Sequence, residues 1–231
     1  MDKRVAIVQS NYIPWKGYFD LINSVDEFIF YDDMQYTRRD WRNRNRVKTP
    51  NGPAWLTIPV VVKGKYDQRI CDTVVSNSHW RLAHWKTITH SYTKARYFRT
   101  HRDLFEHLYL SSEEDHLSQI NFQFVRAICD LLGIRTRLSW SSDHSLTDGK
   151  TERLVHLCKV VGATEYISGP SAQAYLDVSL FAQRGITVRY MSYGYPVYRQ
   201  LYPPFEHAVS IIDLIFNEGP DATKYMLSFQ Q

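Results

Sequence analysis

Four apolar residues in succession, Val5 to Val8, give the first strong signal along the chain, a short strand over residues 4 to 8 with both faces buried. Gly17 to Ser24 then place Tyr18, Leu21 and Ile22 along one helical face, and "EFIFYDD" (27 to 33) reads as a second strand. Strand, short helix and strand make a compact βαβ unit with a right-handed crossover and parallel neighbours. Farther on, "AWLTIPVVV" (54 to 62) and "RICDTVV" (69 to 75) read as strands, and Pro59 assigns the first to a sheet edge or a bulge. A helical pattern runs through residues 79 to 132, broken near Tyr97 and again at "LSSEED", where Ser111 or Ser112 can cap a helix. The strand "IRTRLSW", a helix from Lys150 to Val161, the strand "EYISG", a helical start at Ser171 to Leu176 and the strand "ITVRYM" complete the series. Repeated βα units at both ends predict an α/β fold: a doubly wound, mainly parallel sheet in a single domain over 1–231, with a mostly helical insertion at about 79–132.

Composition changes this picture in a few places. The chain of 231 residues is ordinary in its hydrophobic (44%) and charged (23%) shares, but 14% is aromatic and 16 residues are Tyr. Tyrosine joins apolar area to a hydroxyl, which suits a wet pocket for a sugar-like ligand and equally a stiff core. A net charge of +4 is too small for duplex DNA binding and compatible with a polyanionic substrate. Cys71, Cys129 and Cys158 are too scattered for a disulfide framework or a zinc pattern. With neither a signal-peptide pattern nor an apolar run of membrane length, a cytoplasmic protein without membrane insertion is expected.

In a doubly wound sheet, ligands lie beyond the carboxyl ends of the strands, where strand order reverses. Three junctions therefore carry the candidate chemistry. "QSNYIPWKGY" leaves the first strand with Gln9, Asn11, Tyr12, Trp15, Gly17 and Tyr18. Its aromatics offer a stacking wall or pack into the core; Asn11, Pro14 and Gly17 shape a site or simply a turn. After the second strand, Asp32, Asp33 and Gln35 precede Arg38, Arg39, Arg42, Arg44, Arg46 and Lys48, interleaved with Trp41, Asn43 and Asn45. Guanidinium forks suit phosphate oxygens, or the run is a solvated face. The carboxylates can orient an amine, act as a base or bind a metal, or else pair with those arginines. In "SGPSAQAYL", Ser168, Gly169, Ser171 and Tyr175 stand where a strand turns into a helix, either an anion cradle or a tight turn with Pro170 at the first helical position.

Other chemistries lack support. "GKT" at 149 to 151 has no phosphate-loop glycine upstream, the nine histidines show no HExxH-type spacing, and no G-x-S-x-G elbow is present. No metal site is expected.

"VAIVQSNYIPWKGYFDLI", "FYDDMQY", "WRNRNRVK", "WLTIPV", "TERLVHLC", "GATEYISGPSAQAYL" and "YPVYRQLYPPFEHAVSIIDLIFNEG" resemble the successive blocks of the WbqC-like family from end to end. That resemblance implies a place in the biosynthesis of O-antigen or another surface polysaccharide, with glycyl or other acyl transfer onto an amino sugar as the suggested reaction. It also adds Tyr198 and Gln200 as a third wall of the site. A second resemblance is to HUP-type nucleotidyl transferases such as pantothenate synthetase: Trp15, Lys16, Gly17 and Tyr18 occupy the H-x-G-H spacing, and "DDMQY" resembles a later block. It implies a Rossmann-like sheet, close backbone approach at Gly17, and Gln9 and Gln35 reaching a small substrate. Both signature histidines fall on aromatics here, which removes the residues that hold ATP phosphates in that superfamily.

Together these readings predict an acyl or aminoacyl transferase acting on a nucleotide-linked amino sugar. Asp32 or Asp33 would orient or deprotonate the amine, Arg42, Arg44 and Lys48 would hold a diphosphate, and Ser168 with the Gly169 to Ser171 backbone would receive an anion. The donor stays open among an aminoacyl-tRNA, a carrier-protein thioester, a coenzyme A thioester, and an amino acid with ATP and magnesium. An acyl-adenylate-forming ligase and a noncatalytic nucleotide-sugar or carrier binding protein are the alternatives.

Overall fold

The computed structural model describes residues 2–145 and 147–230; residues 1, 146 and 231 lie outside it. Its frame is a five-stranded, all-parallel sheet of β1 (Arg4–Val8), β2 (Glu27–Phe30), β5 (Arg137–Trp140), β6 (Glu165–Ser168) and β7 (Thr187–Tyr190), in the order β5-β2-β1-β6-β7. Strand order reverses between β1 and β6, which makes this a Rossmann-like α/β fold with its switch point there.

The alternation within each strand explains the two layers. Ala6 of β1, Phe28 and Phe30 of β2 and Ile167 of β6 face a core shared with α1 (Lys16–Asn23), α4 (Leu117–Leu132) and α7 (Ile211–Glu218). Val5, Ile7, Ile29 and Tyr166 face the opposite core, closed by α5 (Lys150–Val160) and α6 (Val178–Ala182). Both faces are covered, and so the central β1 and β2 read as apolar runs, while the edge strands β5 and β7 keep polar and half-exposed positions.

Between β2 and β5 lie an antiparallel hairpin, β3 (Arg44–Thr49) with β4 (Gly52–Thr57), and the helices α2 (His79–Tyr92), α3 (Phe98–Leu110) and α4. Several local expectations change here. "RNRVKT", within the charged run where the sequence pattern predicts no element, is a strand, because Asn45 and Val47 turn inward while Arg44 and Arg46 turn outward. The strand expected at 54 to 62 ends at Thr57. Residues 69 to 75 form single bridges, Gln35 with Arg69, Val60 with Val75 and Val74 with His116, instead of a strand. Ser111 closes α3, and α4 begins at Leu117 with His116 before it. The helical start at Ser171 is a 3-10 turn over Pro170–Ala174. From Met191 to Ser210 the chain crosses the molecule without regular structure, and no described helix is long and apolar enough to cross a membrane.

Candidate functional site

A cavity of about 670 Å³ opens at the switch point, above the carboxyl ends of β1 and β6. The first junction supplies Gln9, Asn11, Trp15, Gly17 and Tyr18 to its wall, the second Arg42, and the third Ser168, Gly169, Ser171 and Tyr175. These ten anticipated residues, far apart in the chain, thus share one space.

The loop from β1 to α1 holds an unusual shape. Ile13 is fully buried with φ +35°, a left-handed conformation that a β-branched residue rarely adopts. Its neighbours clamp it: Asn45 Nδ2 donates to the carbonyls of Tyr12 (3.1 Å) and Ile13 (3.0 Å), Tyr12 N–H to Trp41 O (3.0 Å), and Ile211 N–H to Pro14 O (2.9 Å). Such strain persists where surroundings over-determine it. Asp32 acts in the same way from below. It is 1% exposed, and both oxygens are taken, by Ser10 N–H at 2.7 Å and by the Ser118 hydroxyl. Burial raises its pKa above the usual carboxylate range, opposed by those hydrogen bonds and by Arg42. Asn121 of α4 ties the two loops together, donating at 2.9 Å to both Ser10 Oγ and the Arg42 carbonyl.

Arg42 projects into this frame. Its guanidinium forks onto Gln9 Oε1 (2.6 Å) and Asn11 Oδ1, with Asp40 at 3.7 Å. Trp15 folds back over its own helix start; a Cβ at Gly17 would lie 2.3 Å from Trp15 Cζ2, so this glycine makes room for the indole. Tyr193, from the irregular segment, meets Trp15 edge-on at 4.9 Å between ring centroids, and its hydroxyl would lie 3.3 Å from a Cβ at Gly169.

The opposite wall is the start of α5, where Gly149, Lys150, Thr151 and Arg153 face the cavity. Arg153 is anchored by Nε to Thr147 O at 2.8 Å and stands beside Tyr31, whose pKa burial raises and Arg153 lowers. Tyr31, Met34, Trp41, Tyr166 and Tyr193 also line the space. Sequence reasoning missed the α5 group because it treated "GKT" only as a failed phosphate loop. The available signal was topological: every βα junction of a parallel sheet opens at the same end, and residues 141 to 153 are such a junction.

Other anticipated residues stand elsewhere. Tyr12 is fully buried, its hydroxyl 2.9 Å from His84 Nδ1 and 2.7 Å from the Tyr109 hydroxyl. Asp33 accepts from the Ser141 hydroxyl and lies 3.4 Å from Arg69. Gln35 donates to Tyr66 O (3.0 Å), and Asn43 to Ile58 O (2.8 Å). Arg44 lies over Trp55 on the hairpin, outside the cavity wall. Lys48 is buried and donates to Pro204 O, while Tyr198 (2.7 Å) and Gln200 (2.9 Å) donate to buried Asp213. Burial raises the pKa of Asp213, and its three hydrogen-bond donors and Lys48 oppose the rise.

The electrostatics of the cavity are one-sided. Arg42, Lys150 and Arg153 line it, and no carboxylate, histidine or cysteine does so among the described residues. Five tyrosines and two tryptophans supply flat faces and hydroxyls. The space therefore suits an anionic ligand with a sugar or aromatic part. One group able to hold a cation, Glu114, Asp115 and His116, sits on the exposed loop between α3 and α4, where His116 Nδ1 already lies 3.0 Å from Asp115 and 3.2 Å from Glu114.

A sequence model of the WbqC-like protein family matches residues 9–225. "Uncharacterized protein Rv1507c" of Mycobacterium tuberculosis (strain ATCC 25618 / H37Rv) is 52% identical over 225 residues, covering 97% of each chain. No solved structure matches.

Proposed function

The chain belongs to the WbqC-like protein family, and on that premise we propose that it is a cytoplasmic transferase that places an acyl or aminoacyl group, glycyl being the simplest, on the amino group of a nucleotide-linked sugar for a surface polysaccharide. The observation that carries this reading is the carboxylate-free cavity at the switch point, with Arg42, Lys150 and Arg153 around it. Two phosphates of a sugar nucleotide bring the negative charge such a wall accepts, and the tyrosines and Trp15 provide stacking surfaces for sugar and base.

In the reaction, the neutral amine attacks the acyl carbonyl carbon, the carbonyl electron pair moves to oxygen, and collapse expels the donor's carrier group. One amine proton leaves with that group, so that an amide and the free carrier result. Cations and the backbone N–H groups of Gly169 and Ser171, on either side of Pro170, are suited to the transient oxyanion. Asp32 and Asp33, already bonded to Ser10, Ser118 and Ser141, serve here as positioning residues: Asp32 fixes the loop that carries Gln9 and Asn11. The carrier's leaving atom or water then takes the amine proton.

A second reading, a noncatalytic nucleotide-sugar binding protein, is favoured by one observation: among the described residues the cavity wall offers no carboxylate, histidine or cysteine. Thermal stabilisation by a panel of nucleotides and nucleotide-linked amino sugars, followed by turnover with labelled acyl donors, separates the two. A shift with nucleotide amino sugars, lost in Arg153→Ala, supports the site. Turnover identifies a transferase, and binding without turnover for any donor identifies a binding protein. No shift with any nucleotide amino sugar would sink both.

A further inference from the structure

The outer face of the β3–β4 hairpin carries chemistry that the cavity does not use. Cross-strand register pairs Arg46 with Trp55 and Arg44 with Thr57, so both arginines and Trp55 share one face. The Arg44 guanidinium lies 4.1 Å above the Trp55 ring, Arg46 lies 5.7 Å away, and Trp41 packs against Trp55 at 5.4 Å between centroids. Trp41 and Trp55 are nevertheless 40% and 46% exposed. Among the described residues neither arginine lies within ion-pair distance of a carboxylate, Arg44 acting on Asp40 only at longer range, and the Nε of each is buried without an acceptor. A buried N–H left without a partner is costly, and here two occur side by side.

This face meets the site at one residue, Trp41, whose indole packs on Trp55 and also lines the cavities behind it. A smaller cavity of about 280 Å³, lined by Asn11, Pro14, Trp15, Trp41, Asn45 and Ala208, lies on the inward side of the hairpin, where Asn45 points. Asn11, Trp15 and Trp41 also line the large cavity, so a ligand stacked on the two indoles reaches the reacting space past Trp41.

Half-exposed indoles flanked by unpaired guanidinium groups match one chemistry, a flat base bearing phosphate. An acidic peptide would use the arginines but leave the indoles bare, and an acyl chain would use the indoles and oppose the arginines. We propose that the hairpin face binds the nucleotide end of the acyl donor, with the base on Trp41 and Trp55, phosphate on Arg44 and Arg46, and the acyl end directed past Trp41. The word donor rests on the transfer reading; the nucleotide contact does not.

The test is equilibrium binding to the full chain, with coenzyme A and AMP as nucleotide probes and phosphopantetheine as a probe lacking the base. Saturable binding of a nucleotide probe but not of phosphopantetheine is expected. Trp55→Ala should weaken it about tenfold or more, the scale of one lost base stack, and Arg46→Gln should weaken it as well. Both variants should bind a nucleotide amino sugar within twofold of the parent, whereas Arg153→Ala should do the reverse. Coenzyme A binding above AMP points to a thioester source, and AMP above coenzyme A to an adenylate source; either supports the proposal. It is overturned if neither nucleotide binds, if Trp55→Ala and Arg46→Gln leave binding unchanged, or if a single-stranded RNA ending in cytidine-cytidine-adenosine binds the same residues more tightly than the mononucleotides. Should nucleotide amino sugars fail to bind while the hairpin effects persist, the transfer reading falls and the nucleotide site stands.

Discussion

Acidification should destabilise the protein through one buried histidine. His84 of α2 is 6% exposed, and its Nδ1 lies 2.9 Å from the hydroxyl of Tyr12, in the loop that walls the cavity. The Tyr12 hydroxyl in turn lies 2.7 Å from that of Tyr109. A neutral imidazole accepts from Tyr12 at Nδ1, and the nearby Thr57 backbone carbonyl favours the charged ring. Burial outweighs it and lowers the pKa from 6.5 to about 4. Because the folded value lies below the unfolded one, the unfolded chain binds the proton first. The stability tied to this group is therefore full above pH 6.5 and lost as pH falls toward 4. A gap of this size corresponds to about 3 kcal/mol at the lower end, a large part of the stability of an ordinary domain. His84→Gln keeps an acceptor for Tyr12 and a donor for Thr57 but does not titrate. Urea unfolding of both proteins from neutral pH to pH 4 isolates the term, since the remaining groups titrate in both. The wild type should lose about 3 kcal/mol relative to the variant over that range. Parallel curves, with a constant difference between the two proteins, would refute the reasoning.

Three further substitutions test the frame and wall of the cavity. Arg42→Lys replaces a fork on Gln9 and Asn11 by a single point charge; thermal stabilisation by a nucleotide amino sugar should fall sharply, with unfolding free energy changed by about 1 kcal/mol in urea titration. Asn45→Ala removes the donor to two buried carbonyls beside the strained Ile13 and should cost about 2–4 kcal/mol by the same assay; a loss below about 0.5 kcal/mol would mean that the clamp is dispensable. Gly17→Ala puts a methyl group where the Trp15 indole lies, so the ring must leave the cavity wall. Red-shifted tryptophan emission and weaker ligand stabilisation are expected, and an unchanged spectrum would contradict the packing.

What the sequence made legible was whatever its local pattern determined. Strands β1 and β2 carry apolar runs, and the short stretch between them admits only a compact crossover, so their parallel pairing followed from general rules of connection. Strand β3 was hidden because its inward positions are Asn45 and Val47, one of them polar, and its outward ones are charged. Alternation of hydrophobicity detects a strand only when burial is apolar, and Asn45 is buried to hold a neighbouring loop. Residues 69 to 75 misled in the opposite sense. Their β-branched composition suits a strand, but they run beside partners for only one bridge at a time.

The same distinction divides the candidate site. Gln9, Asn11, Arg42 and Ser168 lie in the cavity wall, whereas Asp32, Asn43 and Lys48, drawn from the same polar clusters, lie beneath or behind it. No local feature separates the groups, because each is defined by a partner far along the chain: Ser118 for Asp32, and Pro204 for Lys48. The concentration of polar and aromatic residues after β1 and β2 is thus a sum of two demands. A cavity that keeps Arg42 in one orientation needs rigid loops, and loops without regular structure can be rigid only if their buried backbone groups find side-chain partners. Asn45, Asp32 and Asn121 meet that need for the β1–α1 loop and the segment bearing Arg42. Half of the unusual chemistry in these junctions therefore exists to hold the other half still.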